Sequence, residues 1–376
     1  MGLTARQLNR ATLARQLLLA REPLGVAEGV RRIVALQAQE PASPYLALWN
    51  RLAGIDAADL DAAFAGREVV KASLMRITLH AVHADDYPAF HTAMLPSLRA
   101  SRLNDRRFRE TGLTTDDADA AIPHLLDSLT VPRSGAEIEE VLEERLGVAE
   151  PRLWWALRTF APLHHAPTGP PWSFGARPSF VAASTDGAVG SHDDAARWLI
   201  LRYLEAFGPA SAADIAQFSI LRQPVVRGAL EGLGDQVEEV EGPDGTVLFD
   251  VPGAPRPPED TVAPPRLLPM WDSVLLAYAD RSRVIPPDHR PLVIRRNGDV
   301  LPTVLVDGYV AGVWRPVDDG IEVTALQRLD DEAWDGLEAE ARALAAFLAD
   351  REPMVYARYA RWWSELPGQQ VRVLPG

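Results

Sequence analysis

The stretch from Val34 to Trp49, VALQAQEPASPYLALW, carries two glutamines, Gln37 and Gln39, separated by one alanine. They stand where an apolar helical pattern gives way to Pro41, Ser43 and Pro44. A glutamine side chain is neutral. Its carbonyl accepts hydrogen bonds and its amino group donates them, so it can orient a water molecule but is too poor a base to take a full proton from one. On a continuous α-helix, residues two apart point about 200° away from each other. In extended backbone they share a face. The prolines predict that the helix ends at the glutamines. Two readings stand: a joint site for one ligand, or a polar helix end whose amides are wet or cap backbone groups.

Few other side chains offer chemistry. There is no cysteine, hence no thiol nucleophile, thiolate zinc site or disulfide. Lys71, in EVVKASLM, is the sole lysine. The pattern predicts it on a helix as a solvated surface group, so Schiff-base chemistry is not expected from it, and the N-terminal amine is the one other primary amine. His80 and His83, and likewise His164 and His165, lack carboxylates at ligand spacing, so no metal and no cofactor is expected. Asp272, in LPMWDSVLLAYADR, fits a helix N-cap. Arg281 and Arg283 fit either phosphate contacts or surface ion pairs. Arg295, Arg296 and Asn297, in IRRNGD at a predicted hairpin tip, fit either a groove-reading arm or an exposed turn. The run SLRASRLNDRRFRE, with Arg99, Arg102, Arg106, Arg107 and Arg109, fits a solvated face or a phosphate-contact strip.

The elements that must position these groups follow from periodicity. In the middle of the chain, SHDDAARWLILRYLEAFGPASAADIAQFSILRQPVVRGALEGL reads as three short helices. Ser211 caps the second and Pro224 sits in the first turn of the third. QVEEVE and TVLFDVP follow as a hairpin. Three helices and a hairpin make a winged helix. Two weaker copies precede it. The first takes TARQLNRATLARQLL, VAEGVRRIVALQAQ, DAADLDAAFAGREVVKASL and the wing RITLHAVHADD. The second takes TTDDADAAIPHLLDSL, SGAEIEEVLEERL, EPRLWWALRTFAPL and a wing from LHHAPTGPPWSF to RPSFVAAS. The expected fold is therefore α+β. Winged-helix units occupy 1–110, 111–190 and 191–252. From 253 to 376 come a proline-rich connector, an antiparallel β-sheet or barrel with turns at Asn297-Gly298 and Asp307-Gly308, and one closing helix.

Bulk properties set limits. A chain of 376 residues has room for several cores. No apolar run is long enough to span a membrane, and the N-terminus has no signal-peptide core, so a cytoplasmic protein is expected. The formal net charge of −14 argues against nucleic acid on average, but a binding face needs only a local excess of cations.

RRIVALQAQEPASPYLALWNRL resembles the Q-x-Q segment of a bacterial family, the AlkZ-like winged-helix DNA glycosylases. SLMRITLHAVHADDY resembles its Arg-x-Thr-x-His run, on Arg76, Thr78 and His80. LPMWDSVLLAYADRSRVIP and VLPTVLVDGYVAGVWR are similar to its later blocks. The resemblance runs from about residue 4 to 363. It implies a C-shaped stack of three winged helices, with Gln37 and Gln39 as a catalytic pair on the concave face. With DNA as the expected substrate, Asp272 stands as an auxiliary carboxylate near the cationic sugar or a helix N-cap, His80 as a further auxiliary group, and Arg76, Arg281, Arg283, Arg295, Arg296 and Asn297 as candidate DNA contacts. The implied partner is double-stranded DNA carrying alkyl adducts or crosslinks, acted on by a monomer that hydrolyses the N-glycosidic bond without strand cleavage and so protects an antibiotic producer. Two rivals are weighed against it. A winged-helix transcriptional regulator would need a basic recognition helix, and QPVVRGALEGLGDQ has acidic Glu231 and Asp235 beside Arg227. A drug-sequestering protein would line an aromatic pocket with Trp154, Trp155, Trp172, Trp271 and Trp314, residues better suited to a core.

Overall fold

The computed structural model describes residues 2–184, 190–363 and 366–376. Helices and antiparallel sheets alternate along it. The first sheet takes β1 (Leu36–Gln37), β2 (Val69–Ser73), β3 (Leu79–His83), β4 (Arg133–Ser134), β5 (Leu163–Ala166) and β6 (Ser179–Ala182), in the order β1-β3-β2-β5-β6-β4. The two upstream stretches, expected as units with separate wings, thus share one sheet. They join where Lys71 of β2 pairs with His165 of β5.

Two helix boundaries differ from expectation. The helix Val26–Ile33 ends before the glutamines, because Val34 takes φ 73° and turns the chain out. The exit therefore precedes the prolines. Pro44 instead lies in the first turn of the next helix, Ser43–Trp49. Further on, the helix Ala57–Ala65 stops at Gly66, and Val69-Val70-Lys71 form strand, as their β-branched pair favours. Lys71 is therefore not on a helix.

From His192 to Asp250 the elements fall as the sequence predicts. Helices His192–Phe207, Ala212–Ser219 and Gln223–Leu233 are followed by a hairpin of β7 (Glu238–Glu241) and β8 (Val247–Asp250). Ser211 accepts from the Asp214 N–H, and the Asp214 carboxylate accepts from the Ser211 N–H, a reciprocal cap worth about 1 kcal/mol. The buried pair Arg15–Asp250, 2.6 Å apart, ties the first helix, Ala5–Arg15, to β8.

The C-terminal sheet orders β9 (Arg266–Leu268), β10 (Thr303–Val306), β11 (Tyr309–Val317), β12 (Gly320–Ala325) and β13 (Gln370–Pro375) as β13-β12-β11-β10-β9. It is open rather than a barrel. Asp307 and Gly308 link β10 to β11 with φ of 50° and 80°, the left-handed pair a tight hairpin requires. A Cβ on Gly308 would lie 2.5 Å from Leu13, so the first helix closes over a turn that only glycine fits. Asn297-Gly298, by contrast, turns a loop held by one bridge, Ile294 to Val300, not a full hairpin. Nor does a helix close the chain. Asp331–Ala349 buries Trp334, Leu337, Ala341, Leu344 and Leu348 at helical spacing against the sheet, and the chain then returns as β13, paired with β12 over six residues.

Candidate functional site

The turn at Val34 lets the backbone run extended through Leu36–Gln37, and the Ala38 N–H donates to the Leu79 carbonyl at 2.8 Å, keeping the segment on the edge of the first sheet. Gln37 is 4% exposed, whereas Gln39 is exposed. The two are joined directly, because the Gln39 backbone N–H donates to Gln37 Oε1 at 2.8 Å. They do not open side by side onto one cavity, however. Gln39 borders a hollow of about 400 Å³, and Gln37 lies behind it.

Lys71, Arg102, Arg158, His165 and Thr78 also border this hollow, and no carboxylate does among the described residues. Arg358 lies on the same rim but is paired with Glu40. The sequence placed Lys71 on a wet surface. Instead its amine is buried 4.4 Å from the centre of the Phe174 ring, and desolvation lowers its pKa to about 8. Arg102 packs over Trp155, 4.9 Å from the ring centre, and donates to Thr159 Oγ1 at 2.9 Å. His165 feels this field. Burial first, then the charges of Lys71 and Arg158, push its pKa down to about 3, so the imidazole is neutral. The sequence singled out Lys71, Thr78, Arg102 and His165 one by one but did not bring them together, and it passed over Arg158. Lys71 read as helix, and Arg158 belongs to the amphipathic helix Pro151–Phe160 like any surface arginine. Their meeting is set by the β2–β5 register.

His80 pairs with Gln37 across β1 and β3. It is fully buried, with Nδ1 3.1 Å from the Thr78 carbonyl, and its pKa falls to about 3 through desolvation and the nearby Arg76 charge. It is thus a neutral neighbour of Gln37, not an acid. Arg76, at φ 54°, has both terminal nitrogens enclosed without a hydrogen-bond partner, and its guanidinium carbon lies 5.4 Å from the Phe218 ring centre. Burial and Arg281 lower its pKa to about 10, which sets Arg76 and Arg281 in one electrostatic neighbourhood apart from the hollow.

The other expected residues are spread out. Asp272 is 2% exposed and makes a twofold pair with Arg51, each bond 2.8 Å, while also accepting from the Val274 N–H at 3.1 Å. Its N-cap role is realised on a single 3-10 turn, Ser273–Leu275, and it does not border the hollow. Arg283 lies 4.1 Å from the Tyr278 ring centre and donates to the Pro209 carbonyl at 2.7 Å. Arg295 packs over Trp362, whereas Arg296 and Asn297 are exposed on the bridged loop. Arg99 is paired with Asp119, and Arg106 with Glu110. Trp154 and Trp314 are core residues.

Comparison with known proteins adds three findings. The model of the DNA glycosylase AlkZ-like family matches residues 30–347. The chain is 28% identical over 340 residues to an interstrand DNA cross-link repair glycosylase of Streptomyces sahachiroi, spanning 85% of this chain and 90% of that one. Its fold matches the solved Streptomyces sahachiroi DNA glycosylase AlkZ with a TM-score of 0.80 at 25% identity, over 94% of this chain and 99% of the other.

Proposed function

The chain belongs to the AlkZ-like DNA glycosylase family, and from that premise we propose that it hydrolyses the N-glycosidic bond of bulky, cationic N7-alkylpurines and unhooks interstrand crosslinks. Alkylation at N7 leaves the purine positively charged and ready to depart from C1′, so no acid has to protonate it. The sugar passes through an oxocarbenium-like state, as in glycoside hydrolysis. What remains is to hold one water beside C1′, which is a matter of positioning. Gln39, on the rim of the hollow, aligns that water through its amide. Gln37 is the positioning residue, because its carbonyl fixes the backbone of Gln39. That link between a buried and an exposed glutamine is the observation that carries the reading.

The reaction stops at the abasic site. The sequence based this on a solvated Lys71, and that ground has gone. Burial lowers the Lys71 pKa to about 8, which makes the amine more available as a nucleophile than a solvated lysine, so hydrolysis without strand cleavage is proposed here on the relation to a glycosylase alone, and borohydride trapping of a covalent DNA adduct would overturn it. The N-terminal amine lies outside the described residues. Three helices and a hairpin from His192 to Asp250 support winged-helix units arranged around a concave face. Exposed Arg296 and Asn297 suit contact with the duplex; the enclosed guanidinium of Arg76 does not reach the surface. Relatedness to an interstrand crosslink repair glycosylase supports crosslinked DNA as a substrate, and we propose with it a monomeric, cytoplasmic enzyme that protects a producer of a DNA-alkylating antibiotic. No helix among the described residues is long and apolar enough to cross a membrane.

The test is single-turnover release of N7-methylguanine, of a bulky N7 monoadduct and of one arm of a crosslink from duplex DNA. Release of all three, followed by strand breakage only on alkali treatment, is expected. Protein that binds the duplexes yet frees no base sinks the proposal.

A further inference from the structure

The hollow beside Gln39 has the wrong sign of charge for the lesion. Lys71, Arg102 and Arg158 border it, no described carboxylate does, and the neutral His165 between Lys71 and Arg158 offers no compensation. Burial alone shifts the Lys71 amine, with no acidic neighbour to offset it. A purine alkylated at N7 is itself a cation. Moved into this space it would meet like charges in a partly desolvated setting, where repulsion is least screened. A phosphodiester has the opposite sign, and the hydroxyls of Thr159 and Thr168, which also border the hollow and accept from Arg102 and the Gly175 N–H, keep a proton to donate to its oxygens.

Resting on the reading that damaged DNA is the substrate, we infer that the hollow is the seat of a backbone phosphate next to the lesion, held by Lys71, Arg102 and Arg158, and that the cationic purine stays outside it. The three cations come from different elements. Lys71 lies on β2, Arg102 near the end of the helix Tyr87–Leu103, and Arg158 on the helix Pro151–Phe160. The shared sheet and its Lys71–His165 pairing bring them together. Seating the phosphate there sets the attached sugar at the rim, where Gln39 stands. It also leaves the purine free of any enclosing wall, so the size of the alkyl group does not limit entry.

The test separates this seat from base release. Duplexes carry a tetrahydrofuran abasic analogue, which has no base to lose, with one methylphosphonate placed in turn at each phosphate on either side. Dissociation constants are measured by fluorescence anisotropy at several salt concentrations for wild type, Lys71→Met and Arg158→Gln. Arg158 is exposed, so its replacement leaves the core intact. For wild type, neutralising one particular phosphate is expected to weaken binding about tenfold and the others about twofold or less. In both variants that position loses its special effect, and the slope of log Kd against log salt falls by about one. Equal losses at every phosphate, or a position-specific loss that persists in both variants, overturns the inference. Neither outcome depends on whether bases are released from damaged DNA, so a failed seat and a failed glycosylase remain distinguishable.

Discussion

Replacing Gln37 separates holding from touching. Its Oε1 accepts the Gln39 N–H at 2.8 Å from a buried position. One such bond contributes about 1 kcal/mol net to stability, so Gln37→Ala leaves a folded protein with a slightly lower melting point. The rate should suffer more. Once its backbone is released, Gln39 is free to drift by about 1 Å, and a shift of that size in a positioned group costs on the order of 100-fold, or ~2.7 kcal/mol of barrier. Gln39→Ala should lose at least as much. The double variant should be no slower than Gln39→Ala alone, because a residue that acts only through another adds nothing once the other is gone. Gln37→Glu is the decisive control. A glutamate here retains an acceptor oxygen whether or not burial keeps it protonated. It should therefore restore base release to within about tenfold of wild type, a margin of ~1.4 kcal/mol. Single-turnover rates on an N7-methylguanine duplex, read beside thermal melts, decide the matter. If Gln37→Glu is as slow as Gln37→Ala, or the two alanine effects multiply, Gln37 touches the water itself and the division of labour is wrong.

Three further outcomes follow from buried charges. Lys71 titrates near pH 8 when folded and near 10.5 when unfolded, so its burial costs roughly 3 kcal/mol below pH 8 and is relieved as pH rises to 10.5; Lys71→Met should therefore melt higher than wild type at pH 7, with the gap closing by pH 10.5. His80, His164 and His165 have folded pKa values of about 3, 4 and 3, below the unfolded value of 6.5, so the stability they contribute is present above pH 6.5 and is lost as pH falls. Urea unfolding should show a decline of up to about 1.4 kcal/mol per pH unit for each between pH 6.5 and 5, above the main carboxylate range, whereas base release should show no histidine limb near 6.5. Breaking the Arg51–Asp272 pair with Asp272→Asn should cost about 3–5 kcal/mol, and Arg51→Met with Asp272→Leu should recover much of it. If folded Asp272→Asn releases base at the wild-type rate, its carboxylate is structural.

The legible parts of the chain are those where local chemistry decides. Ser211, Pro224 and Asp307-Gly308 mark a cap, a first turn and a hairpin whose geometry those residues favour in any setting. The illegible parts were decided by partners distant in sequence. Nothing local tells that Val34 will take φ 73°, an unfavourable state for a β-branched residue, which the packing around it must hold. EVVKASLM carries strand formers, yet it follows a helical run without a proline to part them, and the strand is fixed by β3 on one side and β5 on the other. β13 is a short alternation, Val371, Arg372, Val373, whose meaning comes from the free edge of β12. The glutamine pair could be found from its neighbours in sequence. The meeting of Lys71, Arg102 and Arg158 beside it could not, because a register between β2 and β5 has no local signature.

That arrangement gives a physical reason for an amide where hydrolases commonly use a carboxylate. A glutamate at position 39 would stand on the rim of a hollow bordered by Lys71, Arg102 and Arg158. The nearest cation would hold it in an ion pair, as Arg358, on the same rim, already holds Glu40. It would then compete with a phosphate for those cations and be drawn away from the water. A glutamine carries no net charge. The guanidinium groups have no full charge on it to capture, and the departing cationic purine does not pull on it. On the proposed function its carbonyl is free to align one water, while the link from Gln37 fixes its backbone. Such a neutral dipole accelerates only reactions whose leaving group needs no help, so the charge on the wall fits the proposed preference for already cationic purines. Gln39→Glu should therefore lower the release of N7-alkylguanine and weaken duplex binding together. Adding Lys71→Met and Arg158→Gln should restore part of the rate by freeing the carboxylate. A Gln39→Glu enzyme that is faster than wild type in the unaltered hollow would refute the argument.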